Sequence, residues 1–386
     1  MKKILIVFGT RPEAVKMAPI VEYIKSKSKY LSVKVCVTAQ HRNLLDDVLK
    51  IFNIKPDYDL NIMTENQSLF YITTSVINKI EPVIRKENPD LVLVHGDTTT
   101  TFAAALTSFY LKIPVGHIEA GLRSYDKYNP FPEEANRLLT DTICNLYFSP
   151  TSIAKNALLK ENVKAKNIFI TGNSVIDALQ LVLKKKSKIE NKELNKILES
   201  NKNIILVTAH RRENFGKPIE NICKAIKKIA CKFSGYSIVY PVHPNPNIKI
   251  PVCKILGNIK NIYLLPPLNY FDFSTILKKS YLILTDSGGL QEEAPSLGKP
   301  VIVLRQVTER PEAVISGTVK VVGTDEIKIF NETSELITNK KYYEKMAKSV
   351  NPYGDGFASR RTIEFIEYYF GKRNKKPGEF TPPHDN

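Results

Sequence analysis

Three carboxylates follow predicted strands in the first half of the chain, namely Asp97, Glu119 and Glu133. Each one alone could simply cap a helix or a turn, because acidic side chains commonly accept hydrogen bonds from free backbone N–H groups. Three carboxylates along one rim of a sheet are harder to explain as caps. Such groups could transfer protons at either face of a substrate if burial raises the pKa of at least one of them. The first half is therefore predicted to carry acid–base chemistry.

One histidine of the second half lies among charged residues. His210 follows the predicted strand 203–208, and Arg211, Arg212 and Glu213 come directly after it. This setting predicts a histidine that acts in catalysis or contacts phosphate. His95 ends another strand and is expected to be a satisfied core residue. The HExxH spacing of zinc enzymes is absent, so no metal is predicted.

A pair of glycines after a strand predicts an anion site. Ser287, Gly288 and Gly289 follow the apolar strand Leu282–Thr285 and open a helix. Without side chains, this turn would offer bare N–H groups and the positive end of the helix to a phosphate. The same three residues also occur in ordinary turns, and that alternative stays open.

Charged residues near the two helix starts could bind a nucleoside diphosphate. Glu292 and Glu293 would either compensate the helix dipole or hold a ribose diol. Arg11 and Lys16 flank the start of the first helix, and Arg310 ends a loop. Arginine suits a diphosphate because it offers planar, paired donors. Neither a GxGxxG motif nor a P-loop occurs, so no nicotinamide cofactor is predicted.

Strand and helix patterns alternate along the 386 residues, which predicts an α/β fold with parallel sheets. The segments ILIVFGTRPEA and IILVTAHRREN share one layout, and the stretches around Asp97 and Asp286 share another. This repeat predicts two doubly wound, Rossmann-like domains whose loops face a central cleft. Residues 177–200 and 341–370 are expected to be helical. Residues 371–386 are expected to fray.

Composition and charge limit the class of protein. The net charge is +17, which leaves nucleic-acid or membrane binding open, but the lysines are spread over many short segments and favour a solvated surface. The five cysteines have no paired spacing, so a reducing, cytoplasmic location is predicted. No apolar run approaches the ~18 residues that a membrane span needs, and the N-terminus is read as a core strand rather than a signal peptide.

Several motifs taken together resemble the non-hydrolysing UDP-N-acetylglucosamine (UDP-GlcNAc) 2-epimerases, and they extend from residue 8 to about residue 323. They are FGTRPEAVKMAPI, TAQHR, HGDTTTT, GHIEAGLRS, PFPEEANR, TGNSVIDAL, AHRRENFG, PVHPNP, LTDSGGLQEEAPSLGKPV and TERPEAVISGT. The resemblance implies the glycosyltransferase-B arrangement of two Rossmann-like domains. The implied domains are residues 1–171 plus 365–386, with a returning C-terminal helix, and a UDP-binding domain at 172–364.

The resemblance also implies a reaction, the interconversion of UDP-GlcNAc and UDP-N-acetylmannosamine (UDP-ManNAc) for surface polysaccharide or glycan precursors. The C2 proton is removed as UDP leaves C1, and the resulting 2-acetamidoglucal takes UDP back and is reprotonated at C2 on the other face. Asp97, Glu119 and Glu133 would be the acid–base residues, with His210 beside the sugar or leaving group. The implied substrate contacts are Arg11, Lys16 and Arg310 at the diphosphate, Ser287, Gly288 and Gly289 at a phosphate, Glu293 at the ribose and Phe273 near the uracil.

Some bacterial members of this family bind a second UDP-GlcNAc as an activator. The residues implied for such an allosteric site are Gln40, Gln67, Glu134, Arg211 and His243. Asn66 stands where the pattern has an arginine, and the missing guanidinium would weaken contact with a diphosphate. The resemblance further implies a homodimer that needs no cofactor.

Three alternatives to this interpretation stay open. A hydrolysing epimerase would release ManNAc together with free UDP. A glycosyltransferase of the same fold would move GlcNAc to an acceptor, although no sequence feature marks an acceptor groove. A basic nucleic-acid-binding protein would bind DNA or RNA with strong salt dependence.

Overall fold

A computed structural model describes residues 1–39, 42–64, 67–200 and 203–382 of the chain. These residues form two units, Met1–Leu181 with Tyr353–Thr381, and Val182–Pro352. Each unit contains a parallel sheet whose strands are connected by helices. The predicted α/β class is confirmed.

The strands and helices are numbered in chain order. The strands are β1 (Lys2–Phe8), β2 (Leu31–Val37), β3 (Tyr58–Asp59), β4 (Leu91–His95), β5 (Val115–Ile118), β6 (Leu146–Ser149), β7 (Ile168–Ile170), β8 (Ile204–Thr208), β9 (Ser237–Pro241), β10 (Ile262–Leu265), β11 (Leu282–Thr285), β12 (Val301–Val303) and β13 (Val319–Val321). The helices are α1 (Arg11–Lys27), α2 (Arg42–Ile51), α3 (Leu69–Glu87), α4 (Thr99–Tyr110), α5 (Glu133–Ile143), α6 (Ser152–Lys160), α7 (Ser174–Lys184), α8 (Lys192–Ser200), α9 (Lys217–Lys232), α10 (Pro246–Leu256), α11 (Tyr270–Lys279), α12 (Leu290–Glu293), α13 (Pro311–Ile315), α14 (Glu326–Thr338), α15 (Lys340–Lys348) and α16 (Ala358–Tyr369).

Both sheets have the same strand order around a central pair. The first runs β3-β2-β1-β4-β5-β6-β7, and the second runs β10-β9-β8-β11-β12-β13. The strands β8 and β11 therefore take the places of β1 and β4, as the repeated sequence layout predicts. In each sheet the chain proceeds to opposite sides of this central pair, which makes a topological switch point. Ligands of such sheets bind beyond the carboxyl ends of the strands at that point, so the loops after β1, β4, β8 and β11 are where a site belongs.

The central strands are continuous apolar runs because helices cover both faces of each sheet. Ile4, Ile6, Leu93, Leu206 and Leu284 are each fully buried. In the described ranges, none of the helices combines the length and the apolar character that crossing a membrane requires.

The return of the chain to the first unit begins earlier than predicted. Residues 172–181 and 353–364 belong to the first unit, whereas the predicted domains placed them in the second. The carboxylate of Asp177 accepts hydrogen bonds from the backbone N–H groups of Ala358 and Ser359, at 3.2 and 2.8 Å. Burial raises the pKa of Asp177 to about 6. This buried acceptor anchors the start of α16.

Three local expectations from the sequence are wrong. The segment 177–200 is divided between α7 and α8, and the segment 341–370 between α15 and α16. Gly356, with φ of 87°, lies in the second interruption, two residues before α16 begins. The described part of the C-terminal tail is anchored rather than frayed, since Phe380 is 3% exposed and donates its N–H to the Ile170 carbonyl at 2.8 Å.

Candidate active site

Glu119 lies just beyond β5, at the carboxyl end of the first sheet. Its φ of 67° is a left-handed conformation that non-glycine residues seldom adopt outside functional sites and turns. Its Oε2 accepts hydrogen bonds from Nδ2 of Asn173, at 2.7 Å, and from Nζ of Lys16. The side chain is only 9% exposed, so the ammonium group compensates a carboxylate that water hardly reaches. Glu119 is thus held in one orientation by a cation and an amide.

His95, the last residue of β4, lies beside this pair. Its Nε2 is 3.8 Å from Oε2 of Glu119, and neither ring nitrogen has a hydrogen-bond partner among the described residues. Burial lowers the pKa of His95 to about 3, so the ring is neutral at physiological pH. The expectation of a satisfied core histidine is therefore wrong: the residue is buried, but its nitrogens are unsatisfied because Glu119 is engaged by other donors.

Asp97 is held by Arg137, a residue that the sequence analysis did not single out. Nη1 of Arg137 donates to Oδ2 of Asp97 at 2.6 Å, and Nδ2 of Asn136 donates to the Asp97 carbonyl at 2.9 Å. Arg137 also donates from Nε to Oε2 of Glu134 at 2.8 Å, and Glu134 is fully buried. The other oxygen of Glu134 accepts the Tyr125 N–H at 3.0 Å. Glu134, predicted as an activator contact, therefore belongs to a buried hydrogen-bond network that orients Asp97.

Glu133 is the first residue of α5 and directly precedes Glu134. Its Oε2 is buried and has no hydrogen-bond partner among the residues that the structure describes. A carboxylate oxygen without a donor is costly to bury, which makes it available to a ligand that brings one. Glu133 thus differs from Asp97 and Glu119, which already have cationic partners.

A buried histidine–aspartate pair joins the loops that carry Asp97 and Glu119. His117, on β5, has Nδ1 at 2.6 Å from Oδ1 of Asp141 and Nε2 at 2.7 Å from the Gly96 carbonyl. Each ring nitrogen of His117 therefore lies within hydrogen-bond distance of an oxygen. Burial acts to raise the pKa of Asp141, but His117 and Arg123 prevail and lower it. Oδ2 of Asp141 also accepts the Gly121 N–H at 3.2 Å, so one pair connects the residue before Asp97 to the loop after Glu119. No sequence spacing signals this pairing.

The loop after β1 is tied to the loop after β4. Oε2 of Glu13 accepts the Thr10 N–H at 2.8 Å, and its Oε1 accepts the Thr98 hydroxyl at 2.8 Å. Burial raises the pKa of Glu13, which these hydrogen bonds only partly offset. The start of α1, with Arg11 and Lys16, is therefore fixed against the loop that carries Asp97.

In the second unit, His210 and Arg211 follow β8 and share one acceptor. Oδ2 of Asp286 accepts the His210 N–H at 2.7 Å, the Arg211 N–H at 2.8 Å and Nδ2 of Asn214 at 2.9 Å. The ring of His210 stacks on the ring of His243 with 5.7 Å between centroids. Burial lowers the pKa of His210 below its usual range. The repeated sequence layout identified Asp286 as the counterpart of Asp97, but it did not predict the hydrogen bonds that Asp286 accepts.

The turn Ser287–Gly289 comes next along the central strand pair. The Ser287 N–H donates to Oγ1 of Thr285 at 2.9 Å. A Cβ added at Gly289 would meet only Oγ of Ser287, at 4.0 Å, and one at Gly288 would lie 3.6 Å from Nη2 of Arg211. The φ of Gly289 is −62°, so the backbone itself does not require glycine there. The room that these glycines leave is instead what close approach of a ligand requires.

The remaining predicted nucleotide contacts lie beside this turn. Nε of Arg310 donates to Oε1 of Glu292. The two predicted glutamates therefore differ, because Glu292 contacts this arginine. Oε1 of Glu293 accepts the Tyr270 hydroxyl at 3.0 Å, a contact that the sequence did not suggest. Phe273 is half-buried on α11, one turn beyond Tyr270.

The residues implied for an activator site are only partly described. Gln40 and Asn66 lie outside the described residues. Gln67 is half-buried just before α3, and His243 is exposed. The activator role stays a prediction.

The predicted residues thus form two groups, one in each unit. The first unit brings together Lys16 and Glu119, with Asp97 on the neighbouring loop, and the second unit brings together His210, Arg211 and the Ser287–Gly289 turn. The first group can hold carboxylates for proton transfer, and the second offers cations and open backbone for an anion.

Comparison with known proteins identifies the family. The family model described as UDP-N-acetylglucosamine 2-epimerase matches residues 24–367. The chain belongs to this family. It is 52% identical over 370 residues to the UDP-N-acetylglucosamine 2-epimerase of Escherichia coli K12, which covers 95% of this chain and 98% of that protein.

Solved structures agree with the family and with the fold. The UDP-GlcNAc 2-epimerase of Neisseria meningitidis, solved with UDP-GlcNAc bound, has a TM-score of 0.87 and 51% identity, covering 95% of this chain and all (100%) of that one. MurG of Acinetobacter baumannii has a TM-score of 0.57 at 12% identity over 95% of this chain and 100% of that one, which shows the fold alone. The predicted glycosyltransferase-B type of fold is confirmed.

Proposed function

We propose that this member of the epimerase family is a non-hydrolysing enzyme that interconverts UDP-GlcNAc and UDP-ManNAc. In one direction the C2–H bond breaks, a side chain takes the proton, and the C1–O bond breaks with its electron pair going to UDP. In the return step UDP attacks C1 of 2-acetamidoglucal, and C2 gains a proton on the opposite face. The single observation that carries this proposal is the placement of Asp97 and Glu119, each held by a buried cation, beyond the adjacent strands β4 and β5, next to the switch point between β1 and β4.

We assign proton transfer at C2 to the first unit. Asp97 and Glu119 have fixed orientations because Arg137 and Lys16 hold them, and Glu133 has an oxygen that awaits a donor. Epimerisation needs one group to remove a proton and another to return it to the other face. Three carboxylates of unequal environment suit that requirement, since unequal environments separate acid from base.

We assign binding of UDP to the second unit. The Ser287–Gly289 turn would take a phosphate, Arg310 the diphosphate charge, Glu293 the ribose hydroxyls and Phe273 a face of the uracil. His210 would act at the leaving group, and Arg11 would add charge from the first unit. Donors fixed before the reaction stabilise the charge that develops on departing UDP, because they need no reorganisation in the transition state.

The product and the compartment follow from the same proposal. UDP-ManNAc would feed surface polysaccharide or glycan precursors in the cytoplasm. All five cysteines are free thiols and three of them are buried, which is the state expected in a reducing compartment.

Product analysis separates this proposal from its rivals. We expect ³¹P NMR of the enzyme with UDP-GlcNAc to show UDP-ManNAc growing to a plateau, without a matching rise of free UDP. UDP that accumulates in proportion to lost UDP-GlcNAc would indicate a hydrolysing epimerase. UDP release that depends on an added sugar acceptor would indicate a glycosyltransferase.

We further propose that the enzyme is a homodimer that buries apolar side chains of α3 and α4. Phe70, Phe109 and Tyr110 are 85, 52 and 67% exposed. Large exposed aromatic side chains on neighbouring helices commonly mark a protein interface. Sedimentation should give twice the chain mass of 43.7 kDa, and Phe109→Glu should shift it towards that single-chain value. A wild-type mass of one chain at all concentrations would contradict the dimer.

A further inference from the structure

Asp286 and His210 lie at the switch point of the second sheet. Asp286 follows β11, and His210 comes two residues after β8. These strands are neighbours, and Thr285 is in register with Thr208. Asp286 is fully buried. A buried carboxylate requires donors for both oxygens, so the partners of each oxygen matter.

The two oxygens of Asp286 have different surroundings. Oδ2 accepts the three hydrogen bonds from His210 N–H, Arg211 N–H and Asn214 Nδ2. Oδ1 is buried and has no hydrogen-bond partner among the described residues. The three donors prevent the carboxylate from rotating, so Oδ1 points in a fixed direction. That atom is an acceptor without a proton to accept.

The ring of His210 is the group that can supply this proton. Its Nδ1 is 3.7 Å from Oδ1 of Asp286, beyond a hydrogen bond but within reach of a small ring rotation. The ring is 43% exposed and stacks on His243, so it can adjust while the backbone of His210 stays tied to Oδ2. Hydrogen bonds of catalytic side chains are often long before the substrate binds and tighten afterwards.

We infer that Asp286 is a positioning residue that accepts the Nδ1 proton of His210 and fixes the ring in that tautomer. A neutral imidazole carries one proton, so a proton held on Nδ1 leaves Nε2 as the nitrogen that can accept another. When Nε2 gains a proton, the carboxylate stabilises the resulting imidazolium. The use of Nε2 at departing UDP rests on the proposed function, whereas the tautomer does not.

The same residue couples the histidine to the anion turn. Asp286 directly precedes Ser287, whose N–H is held by Thr285. A change at Asp286 could therefore act on the turn as well as on the ring. If Asp286 were only structural, its Oδ2 would hold the loop and its Oδ1 would have no effect on the tautomer of the His210 ring. The tautomer is thus the readout that separates the two roles.

The experiment uses the full chain labelled with ¹⁵N-histidine at pH 8, where the ring of His210 is neutral. The sequence has 6 histidines, and His210→Gln assigns the signal of interest. We expect the wild-type ring to carry its proton on Nδ1. In Asp286→Asn, the amide can keep an oxygen towards the backbone donors and turn its NH₂ group towards the ring, which moves the ring proton to Nε2. We expect kcat to fall at least about 100-fold, with KM changed by less than about threefold.

Asn214→Ala is the matched control, because it removes a donor to Oδ2 and leaves Oδ1 in place. It should keep the Nδ1 proton. A shifted tautomer in Asp286→Asn with normal kcat would support the positioning inference and remove His210 from the proposed reaction. A wild-type His210 that carries its proton on Nε2 would overturn the inference, even if Asp286→Asn failed to fold. An unchanged tautomer in a folded Asp286→Asn variant would also overturn it.

Discussion

At the scale of single residues, the carboxylates of the first unit differ in how their charge is compensated. Glu119 contacts Lys16, Asp97 contacts Arg137, and one oxygen of Glu133 has no partner among the described residues. Epimerisation at C2 needs one group that removes a proton and another that returns one to the opposite face. The three side chains are therefore held in different ways, which suits the proposed use of separate groups at the two faces of C2.

Each of the three carboxylates should be essential. Asp97→Asn, Glu119→Gln and Glu133→Gln keep the side-chain shape but abolish proton transfer. We expect kcat to fall at least about 100-fold in each, since general acid–base catalysis contributes about 10²–10⁴. Steady-state assays in both directions provide the measurement. Near-normal rates in all three variants would remove the carboxylate assignment.

Arg137 should matter for stability as well as for rate. Arg137→Met leaves the fully buried Glu134 without its cation and frees Asp97. Removing one partner of a buried pair costs about 3–5 kcal/mol in the free energy of unfolding, which urea titration can measure. The exposed pair Arg85–Glu81, with side chains 63 and 47% exposed, supplies a control. Arg85→Met should change stability by less than about 1 kcal/mol, and equal losses in both variants would contradict the buried role.

His95 should make the enzyme sensitive to acid. Its pKa falls from the usual 6.5 to about 3 on folding, because burial disfavours the charged ring. Between those values the unfolded chain binds a proton that the folded chain does not. The contribution of His95 to the free energy of unfolding is therefore constant above pH 6.5. Below that pH it decreases by about 1.4 kcal/mol per pH unit.

The test compares urea unfolding of the wild type and His95→Gln at pH 8.5, 7.5 and 5.5. Between pH 8.5 and 7.5 the free energy of unfolding should change equally in both proteins, because residue 95 does not change its protonation state there. Between pH 7.5 and 5.5 the wild type should lose more stability than the variant. Parallel losses would show that His95 is not the buried neutral group described above.

At the scale of elements, the candidate functional side chains lie on loops that follow the central strands, and hydrogen bonds connect these loops. His117 and Asp141 link the loop after β4 to the loop after β5, and Asp286 links the loop after β8 to the turn after β11. Rigid strands place the loops, and buried charged groups hold them. This design keeps a site precise although its residues come from distant segments.

The Ser287–Gly289 turn allows a test of ligand binding without loss of fold. Gly289→Ala adds a Cβ that meets only Oγ of Ser287, at 4.0 Å, so we expect stability to change by less than about 1 kcal/mol. If the turn cradles phosphate, the Kd for UDP should rise at least about tenfold in calorimetry, or about 1.4 kcal/mol.

Gly121→Ala is the contrasting control for this substitution. Its φ is 87°, and a Cβ there would lie 2.3 Å from the Ala154 carbonyl oxygen. This variant should lose stability. An unchanged affinity for UDP in Gly289→Ala would exclude the turn as the phosphate site.

The strands and the candidate carboxylates could be predicted from the sequence, whereas their partners could not. Continuous apolar runs mark central parallel strands, and position after a strand marked Asp97 and Glu119. Arg137 is 40 residues from Asp97, and Asp286 is 76 residues from His210, so these pairs depend on tertiary structure that no local pattern encodes. The sequence predicted a helix after the glycine turn, and this helix, α12, ends at Glu293, before a 3₁₀ turn that begins at Pro295.

At the scale of the whole molecule, one sheet topology occurs twice with different side chains beyond its strands. The strand orders around β1–β4 and β8–β11 correspond, yet the residues after the equivalent strands differ. Asp97 faces Arg137 in one unit, and Asp286 serves His210 beside an open glycine turn in the other. This difference agrees with the proposed division between proton transfer in the first unit and nucleotide binding in the second.

The most direct test of the central claim is turnover of UDP-GlcNAc in deuterated water, followed by ¹H NMR and mass spectrometry. Elimination and re-addition remove the C2 proton and return one from solvent. We predict UDP-ManNAc that carries deuterium at C2, with no net release of UDP. Product UDP-ManNAc that retains its original hydrogen at C2 would contradict the mechanism.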